Sequence, residues 1–269
     1  MTAAAAARER HPDGTISVEA RGLILEIGLD RPEKYNGLTP KMFSELIDAF
    51  TRLDADPALR VAIVFGHGKH FTAGLDLPKW VDGMKGGGRD RSDARVDPFG
   101  LARKCTKPVV CAVHGITYTA GIELMLACDI AVAADDCRFS QLEPKRGIMA
   151  TGGATFRFVE RGGYGNAMYH LLVLDEFDAA EARRCGLVQE VVPAGTQLDR
   201  ARALAEKIAA LAPLAIQATK ASARLYGERG EQACIAEFKA VQQRLANTED
   251  ASEGVRSFVE RRDPRFTGR

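Results

Sequence analysis

The sequence predicts an α/β fold, and three observations support that prediction. In the first half of the chain, short apolar runs of strand length alternate with segments whose apolar residues recur at helical spacing. From residue 153 onward the helical period dominates. Hydrophobic residues make up 46% of the 269 residues, which is enough for one large domain with a full core. The order strand, helix, strand in the first half favours an α/β architecture.

The elements of the first half follow in order. A strand is predicted over residues 23–27, and a helix begins at Thr39 and Pro40, because threonine can cap a first turn and proline fits within it. The apolar face of that helix consists of Met42, Phe43, Leu46, Ile47, Phe50 and Leu53. Further strands are predicted over residues 61–65, 108–113, 130–133 and 137–140.

The second half is predicted to be mostly helical. Asp178 and Glu181 have the spacing of a capping box, and Gly186 ends the helix that they open. A strand over residues 187–192 follows, and Thr196 is expected to cap the next helix. Two more helices cover residues 213–226 and 231–245, and a short last one lies within 252–269. These helices each have one apolar stripe, which could cover their own core or a neighbouring subunit.

The charge and cysteine content exclude several classes of protein. The net charge is +1, so no basic excess points to a nucleic acid and no charged block points to a membrane surface. No stretch approaches the ~20 apolar residues that span a bilayer. The six cysteines show no C-x-x-C spacing and no close grouping with histidine that suggests zinc. We therefore expect reduced, buried thiols, no bound metal and a cytoplasmic location.

Three segments carry the residues that are most informative about chemistry. Residues 71–77 read Phe-Thr-Ala-Gly-Leu-Asp-Leu, residues 114–123 end in Ala-Gly-Ile-Glu, and residues 139–143 read Phe-Ser-Gln-Leu-Glu. The first two can present backbone N–H groups to an anion, because glycine allows the turn and a helix begins nearby. Glu123 and Glu143 are two carboxylates that could move protons in one pocket.

Each segment taken alone also has an ordinary interpretation. Residues 71–77 could be a simple strand–turn–helix junction in which Asp76 caps a helix beginning near Pro78. Glu123 could be a first-turn glutamate favoured by the helix dipole. Glu143 could be a surface residue, and Lys145 and Arg146, if folded close to it, would lower the pKa of its carboxyl group.

The order and spacing of the three segments resemble the crotonase superfamily, also called the enoyl-CoA hydratase/isomerase family. Its other marks here are Lys-Pro-Val-Val-Cys-Ala-Val-His-Gly over residues 107–115, Cys-Asp-Ile over 128–130 and Arg-Pro-Glu-Lys-Tyr-Asn over 31–36. The resemblance covers nearly all of the chain after about residue 15, and the combination is specific for the family more than for one reaction.

The resemblance implies a spiral of β-β-α units with a helical C-terminal region used in trimer formation, the trimers often pairing into hexamers. It divides the chain into a flexible N-terminal tail (1–14), a spiral core with the active site (15–195) and a helical oligomerisation region (196–269). The implied substrate is an acyl-CoA thioester. No cofactor is implied, because coenzyme A belongs to the substrate.

The resemblance also implies roles for single residues. Glu123 and Glu143 match the two catalytic glutamates of the hydratases. The backbone N–H groups of Leu75 and Ala120 match the two donors of the family's oxyanion hole. Four positions match the coenzyme A site, namely Lys34, Ala73, Asp76 and Leu77. Trp80 and Met84, one turn apart, could line the acyl pocket or merely pack.

Departures from the family pattern leave alternatives for the reaction. Thr119 and Ala120 replace two glycines, Pro144 directly follows Glu143, and Thr151 stands where dienoyl-CoA isomerases have an aspartate. The favoured reaction is hydration of a trans-2-enoyl-CoA, with a Δ3-Δ2-enoyl-CoA isomerase or a non-catalytic acyl-CoA-binding homologue as alternatives. The glycine-rich, charged stretch over residues 83–93 is either an inert insertion or a lid over the pocket.

Overall fold

A computed structural model describes residues 11–87 and 94–269 of the chain. Its larger sheet has six strands in the order β1-β2-β3-β4-β6-β9, in which only β1 is antiparallel to its neighbour. A smaller sheet has the order β5-β7-β8. The strands are β1 Thr15–Arg21, β2 Ile24–Asp30, β3 Val61–Gly66, β4 Val109–Val113, β5 Ile116–Tyr118, β6 Ile130–Ala134, β7 Arg138–Ser140, β8 Phe177–Asp178 and β9 Glu190–Val192.

The helices lie mainly between these strands and after the last of them. The first half contains α1 Pro40–Ala55, α2 Val81–Lys85 and α3 Ala120–Ala127, and the second half contains α4 Ala154–Met168, α5 Ala179–Arg184, α6 Gln197–Ala209, α7 Pro213–Arg229, α8 Glu231–Ala246 and α9 Glu249–Glu260. Short 3-10 turns cover Pro32–Lys34, Leu77–Lys79 and Glu143–Arg146, and one π-helical turn covers Tyr169–Val173. The mixed α/β prediction and the helical C-terminal region are confirmed.

The sequence did not predict β1. Its only buried side chain is Ile16, and its other residues are half-buried or exposed, because the strand lies at the edge of the sheet. An edge strand has little apolar periodicity, so pairing with β2 rather than its own pattern fixes it. The predicted strand over 187–192 is also shorter than expected, because only Glu190–Val192 pairs with β6.

The main core lies between the two sheets, α1, α3 and α4. The face of α1 predicted from helical spacing is buried as expected. On the opposite face of the large sheet, α6 packs its alanines Ala201, Ala205 and Ala209 against β3 and β4. All six cysteines are buried, as predicted, and none of them is joined in a disulfide.

The predicted caps have mixed outcomes. Thr39 caps α1 by accepting from Met42 N at 3.2 Å, which confirms that prediction. Asp178 accepts from Glu181 N at 2.8 Å and so caps α5, but the reciprocal half of the predicted capping box is not formed, because the Glu181 carboxylate accepts from His170 and Arg184 instead. The prediction for Thr196 is wrong: its hydroxyl donates to the Pro193 carbonyl at 2.7 Å, because the chain is still turning there.

The C-terminal helices α7 to α9 cover little of the core. On α9, Val255, Phe258 and Val259 are largely exposed.

No helix in residues 11–87 or 94–269 is both long and apolar enough to cross a membrane. At the N-terminal end, residues 11–14 form a turn in which Gly14 N donates to His11 O. Of the glycine-rich stretch, residues 83–85 belong to α2, and residues 88–93, like 1–10 of the predicted tail, lie outside the described residues.

Candidate active site

Glu123 lies in the first turn of α3 and is almost fully buried. Its Oε1 accepts from the backbone N–H groups of Gly152 at 2.7 Å and Ala154 at 3.1 Å. These two donors are available because they precede or begin α4, where N–H groups have no partner within the helix. Burial raises the pKa of Glu123, while these N–H groups and the charge of Arg157 oppose that rise.

Glu143 begins the 3-10 turn Glu143–Arg146 and is also buried. Burial raises the pKa of Glu143 to about 7; its own backbone N–H opposes the shift, and the negative charge of Glu123 adds to it. The two glutamates therefore interact, and the negative charge of one disfavours ionisation of the other.

The expected influence of the basic residues after Glu143 is not found. Lys145 and Arg146 are exposed and do not contribute to the shift of the Glu143 pKa, which is upward rather than downward. The interpretation of Glu143 as a surface residue is also wrong, because its side chain is buried. Its side chain points into the protein, whereas the two cations that follow it remain in solvent.

Leu75 presents its backbone N–H on the side of the chain facing away from Leu38. Gly74 O accepts from Leu38 N at 2.8 Å and Asp76 N donates to Leu38 O at 2.9 Å. In such a bridge the backbone N–H and C=O groups of Leu75, the residue between Gly74 and Asp76, point away from Leu38. Within the described part of the chain, no acceptor is recorded for this N–H.

Ala120 is the first residue of α3, so its N–H is one of the free donors of a helix N-terminus. Its segment lies beside that of Leu75: Tyr118 N donates to Thr72 O at 3.0 Å, and Thr72 pairs with Thr117. A Cβ on Gly74 would fall 1.7 Å from the Thr119 hydroxyl oxygen. The residues directly before Leu75 and Ala120 are therefore in contact, and glycine is required at position 74.

Thr119 has an unusual backbone, with φ 50° and ψ −119°. A β-branched residue rarely adopts positive φ, and such strain costs roughly 1–3 kcal/mol. Its N–H donates to Ser140 O at 3.0 Å and its carbonyl accepts from Glu123 N at 3.1 Å. Hydrogen bonds on both sides thus hold the turn that leads into Ala120.

The residues predicted to contact coenzyme A lie on adjoining segments. Lys34 is exposed at the end of the turn Pro32–Lys34, and Ala73 N donates to Tyr35 O at 2.9 Å. Leu77 is half-buried at the start of the turn Leu77–Lys79. The capping prediction for Asp76 is wrong: its carboxylate accepts from the buried guanidinium of Arg31 at 2.8 Å instead.

Trp80 and Met84 lie one turn apart, as their spacing suggests, and Met84 N donates to Trp80 O. The Trp80 indole N–H donates to Leu38 O at 2.8 Å, and its ring meets Phe43 edge-on at 5.7 Å. Phe43 in turn meets Phe99 at 5.3 Å. These contacts form an aromatic cluster beside the segment of Leu75.

Sequence reasoning gave no role to two residues that contact the glutamates. With its amide nitrogen turned toward Glu143, the buried Gln141 donates to both carboxylate oxygens, at 3.0 and 2.8 Å. That donation favours the ionised form and acts against burial. Gly152 approaches Glu123 so closely that a Cβ there would fall 2.4 Å from Oε2. The paired glycines before α4 were the signal that could have revealed this contact.

Among the residues that the structure describes, one cluster of potential metal ligands lies outside this site. His170, Glu181 and Cys185 bring their ligand atoms together, although the sequence showed no such grouping. Glu181 accepts from His170 at 3.0 Å, and Arg184 donates to both of its carboxylate oxygens at 2.6 Å. Hydrogen bonds account for the whole cluster.

A mixed α/β fold that holds two buried, interacting carboxyl groups is typical of enzymes of the crotonase type. A family model described as enoyl-CoA hydratase/isomerase matches residues 19–269. The chain belongs to the enoyl-CoA hydratase/isomerase family, as the sequence motifs predicted.

Similar proteins agree with this assignment. The enoyl-CoA hydratase EchA19 of Mycobacterium tuberculosis is 36% identical, over 97% of this chain and 98% of that protein. The 2,3-dehydroadipyl-CoA hydratase of Escherichia coli is 33% identical, over 91% of this chain and 96% of that protein. The crystal structure of a probable enoyl-CoA hydratase/isomerase from Mycobacterium abscessus superposes with a TM-score of 0.92 at 42% identity, covering 95% of this chain and 99% of that one.

Proposed function

We propose that this protein is an enoyl-CoA hydratase, which adds water across the double bond of a trans-2-enoyl-CoA thioester. The observation that carries the proposal is the interaction of two buried glutamates whose environments differ. Glu123 is held by backbone N–H donors, and Glu143 has a pKa near neutrality. Hydration needs a base for water and an acid for the α-carbon, and this pair supplies both.

The reaction follows from these roles. Ionised Glu123 and protonated Glu143 together orient a water molecule, and Glu123 takes a proton from the water as the water oxygen bonds to the β-carbon. Protonated Glu143 gives its proton to the α-carbon, and a proton then returns from Glu123 to Glu143. Each acid–base contribution is worth roughly 10²–10⁴-fold. Gln141 would hold Glu143 in orientation through its amide.

The negative charge that builds up on the thioester oxygen also needs stabilisation. We assign this role to the N–H groups of Leu75 and Ala120, because the residues before them are in contact and neither N–H has a recorded acceptor in the described part of the chain. Each such donor is worth roughly 2.7–4 kcal/mol. Lys34, Ala73, Asp76 and Leu77 lie on segments beside this oxygen site and would contact coenzyme A.

The acyl chain would then extend toward the aromatic cluster of Trp80, with Met84 one turn beyond.

The exposed apolar side chains of α9 favour assembly into a trimer or a pair of trimers, because so large an apolar patch is rarely left in solvent.

A panel of thioesters tests the proposal. Crotonyl-CoA should lose its conjugated absorbance in the presence of the protein, and a 3-enoyl-CoA should gain none. The opposite result would identify a Δ3-Δ2-enoyl-CoA isomerase, which needs only Glu143. Tight binding of acyl-CoA esters without turnover of enoyl, β-hydroxy or β-keto thioesters would instead identify a non-catalytic homologue.

A further inference from the structure

Arg157 lies in the first turn of α4, directly behind the glycines that contact Glu123. Its guanidinium donates to the carbonyls of Gly152 at 3.0 Å and Phe99 at 2.6 Å. Among residues 11–87 and 94–269 it forms no ion pair. Its Cζ also lies 4.9 Å from the centroid of the Phe156 ring. A largely buried guanidinium without a carboxylate partner is costly, so its place here calls for an explanation.

The Gly152 peptide connects this cation to the catalytic carboxylate. The Gly152 N–H donates to Glu123, and the Gly152 carbonyl accepts from Arg157. A Cβ on Gly152 would fall 2.4 Å from Glu123 Oε2, and one on Gly153 would fall 2.3 Å from Arg157 Nη1. The carboxylate therefore lies against Gly152, and the guanidinium lies against the neighbouring Gly153.

This arrangement has an electrostatic and a geometric consequence. The Gly152 carbonyl belongs to the same peptide group as the Gly153 N–H, which also lowers the pKa of Glu123, so a cation on that carbonyl strengthens the Gly153 N–H as a donor to the carboxylate. The same cation attracts the negative charge of Glu123 directly. The second carbonyl contact of Arg157 is to Phe99, whose ring packs on that of Phe43. Through Arg157, the glycine pair is therefore connected to the segment of Phe99.

The other charged groups near the pair do not replace Arg157. Glu143 faces Glu123 and repels its charge. Arg161 lies one turn further along α4 and donates to Leu126 O at 2.8 Å and Leu187 O at 3.2 Å, and Glu160 is exposed between the two arginines. Among the main influences on the pKa of Glu123, Arg157 is the cation that lowers it.

We propose that Arg157 is a positioning residue that fixes the Gly152 peptide against Glu123 and keeps Glu123 the ionised member of the carboxyl pair. This inference rests on the proposed hydration reaction. Arg157 does not touch the substrate; it acts through the glycine backbone and through its charge.

Three variants of the full-length protein test the proposal: Arg157→Met, Arg157→Lys and, as a matched control, Arg161→Met. Arg157→Met should lower kcat for crotonyl-CoA by at least about tenfold, because the carboxylate loses its fixed position. It should also move the acidic limb of the pH profile of kcat/KM upward by roughly half a unit to one unit, since Glu123 then ionises at higher pH. Arg161→Met removes an equally buried, carbonyl-bound arginine and should leave that limb in place.

Arg157→Lys separates the charge from the geometry. Lysine keeps the cation but cannot hold two carbonyls with a planar fork. The acidic limb should therefore stay near its wild-type position while kcat remains reduced. Should Arg157→Met fail to fold, this variant decides alone: a wild-type kcat would overturn the proposal, and a reduced kcat with an unmoved limb would support it.

Infrared titration gives a readout that needs no turnover. The carboxyl band of Glu123 is identified by its loss in Glu123→Gln, and in Arg157→Met it should protonate at higher pH than in the wild type. If the wild type hydrates no thioester but the band still shifts in Arg157→Met, the hydratase proposal is refuted and the role of Arg157 is supported. An unshifted band, or an equal shift in Arg161→Met, would overturn the role of Arg157 even in an active hydratase.

Discussion

The Gly152 backbone and the Glu123 carboxylate are in direct contact: Gly152 N donates to Oε1 at 2.7 Å, and no room remains for a side chain at Gly152. Glu143, twenty residues further along the chain than Glu123, has no comparable set of backbone donors and a pKa of about 7. In the proposed mechanism, this difference assigns the role of base to Glu123 and that of acid to Glu143.

The contact predicts a strong effect of a single methyl group. Gly152→Ala would place Cβ 2.4 Å from Glu123 Oε2, so the carboxylate must move. We expect kcat for crotonyl-CoA to fall by about a hundredfold, since a displacement of about 1 Å has that effect. Gly165→Ala, within α4, is the control, because a Cβ there meets nothing within 4 Å. This variant should leave kcat unchanged. Equal rates for the two variants would contradict the assigned role of Glu123.

Replacing the proposed acid tests the chemical step. Glu143→Gln keeps the shape of the side chain but removes the proton donor, so hydration of crotonyl-CoA should fall at least about a hundredfold. The matched change Glu206→Gln, on the exposed surface of α6, should have no effect. A near-normal rate for Glu143→Gln would remove this residue from the mechanism.

The pKa of Glu143 predicts the alkaline side of the pH profile. Glu143 must be protonated to donate, so kcat/KM should decline as pH rises through about 7 in the free enzyme. Because the two glutamates interact, the measured value belongs to the pair. Stopped-flow assays of crotonyl-CoA between pH 5 and pH 9 would give the profile. A kcat/KM that does not decline up to about pH 9 would argue against Glu143 as the acid.

The same shift predicts how stability depends on pH. The folded-state pKa of Glu143 is raised above its unfolded value, so its contribution is fully present below about pH 4.3 and is lost as pH rises to about 7. The loss is at most about 4 kcal/mol. Glu143→Gln carries no charge, so it should exceed the wild type in Tm at pH 8 more than at pH 4.5. A difference in Tm that is the same at both pH values would speak against a buried, protonated Glu143.

The exposed face of α9 predicts assembly. Phe258 is 84% exposed and Val255 is 68% exposed, although both are apolar. Phe258→Asp should reduce the mass measured by light scattering from that of a trimer or hexamer to that of a monomer. The control Arg261→Asp introduces the same residue just past the end of the helix and should leave the mass unchanged. A wild-type protein that is already monomeric would contradict the assembly proposal.

Much of the fold could be predicted from local pattern. The strands β2, β3, β4 and β6 and the helix α1 were found because their side chains are buried on faces that the helical or strand period repeats. The edge strand β1 was missed because most of its side chains are not buried, so its sequence contains no such signal.

The candidate site shows the same division. Glu123 and Glu143 were identified from motifs whose spacing is specific to a family, whereas Gln141 and Arg157 received no role. The predicted effect of Lys145 and Arg146 on Glu143 was wrong, because neighbours in sequence point in opposite directions there: the carboxyl group inward and the cations outward.

The sequence by itself determined the family, the strand and helix types and the two carboxyl groups, because hydrophobic period and motif spacing are properties of the chain. Only the tertiary structure decided that Glu123 accepts from backbone N–H groups and that burial is the main influence on the pKa of Glu143. It also decided that Arg157 contacts the glycine next to Glu123. Burial and hydrogen bonding set a carboxyl pKa, and both depend on segments that approach from elsewhere in the chain.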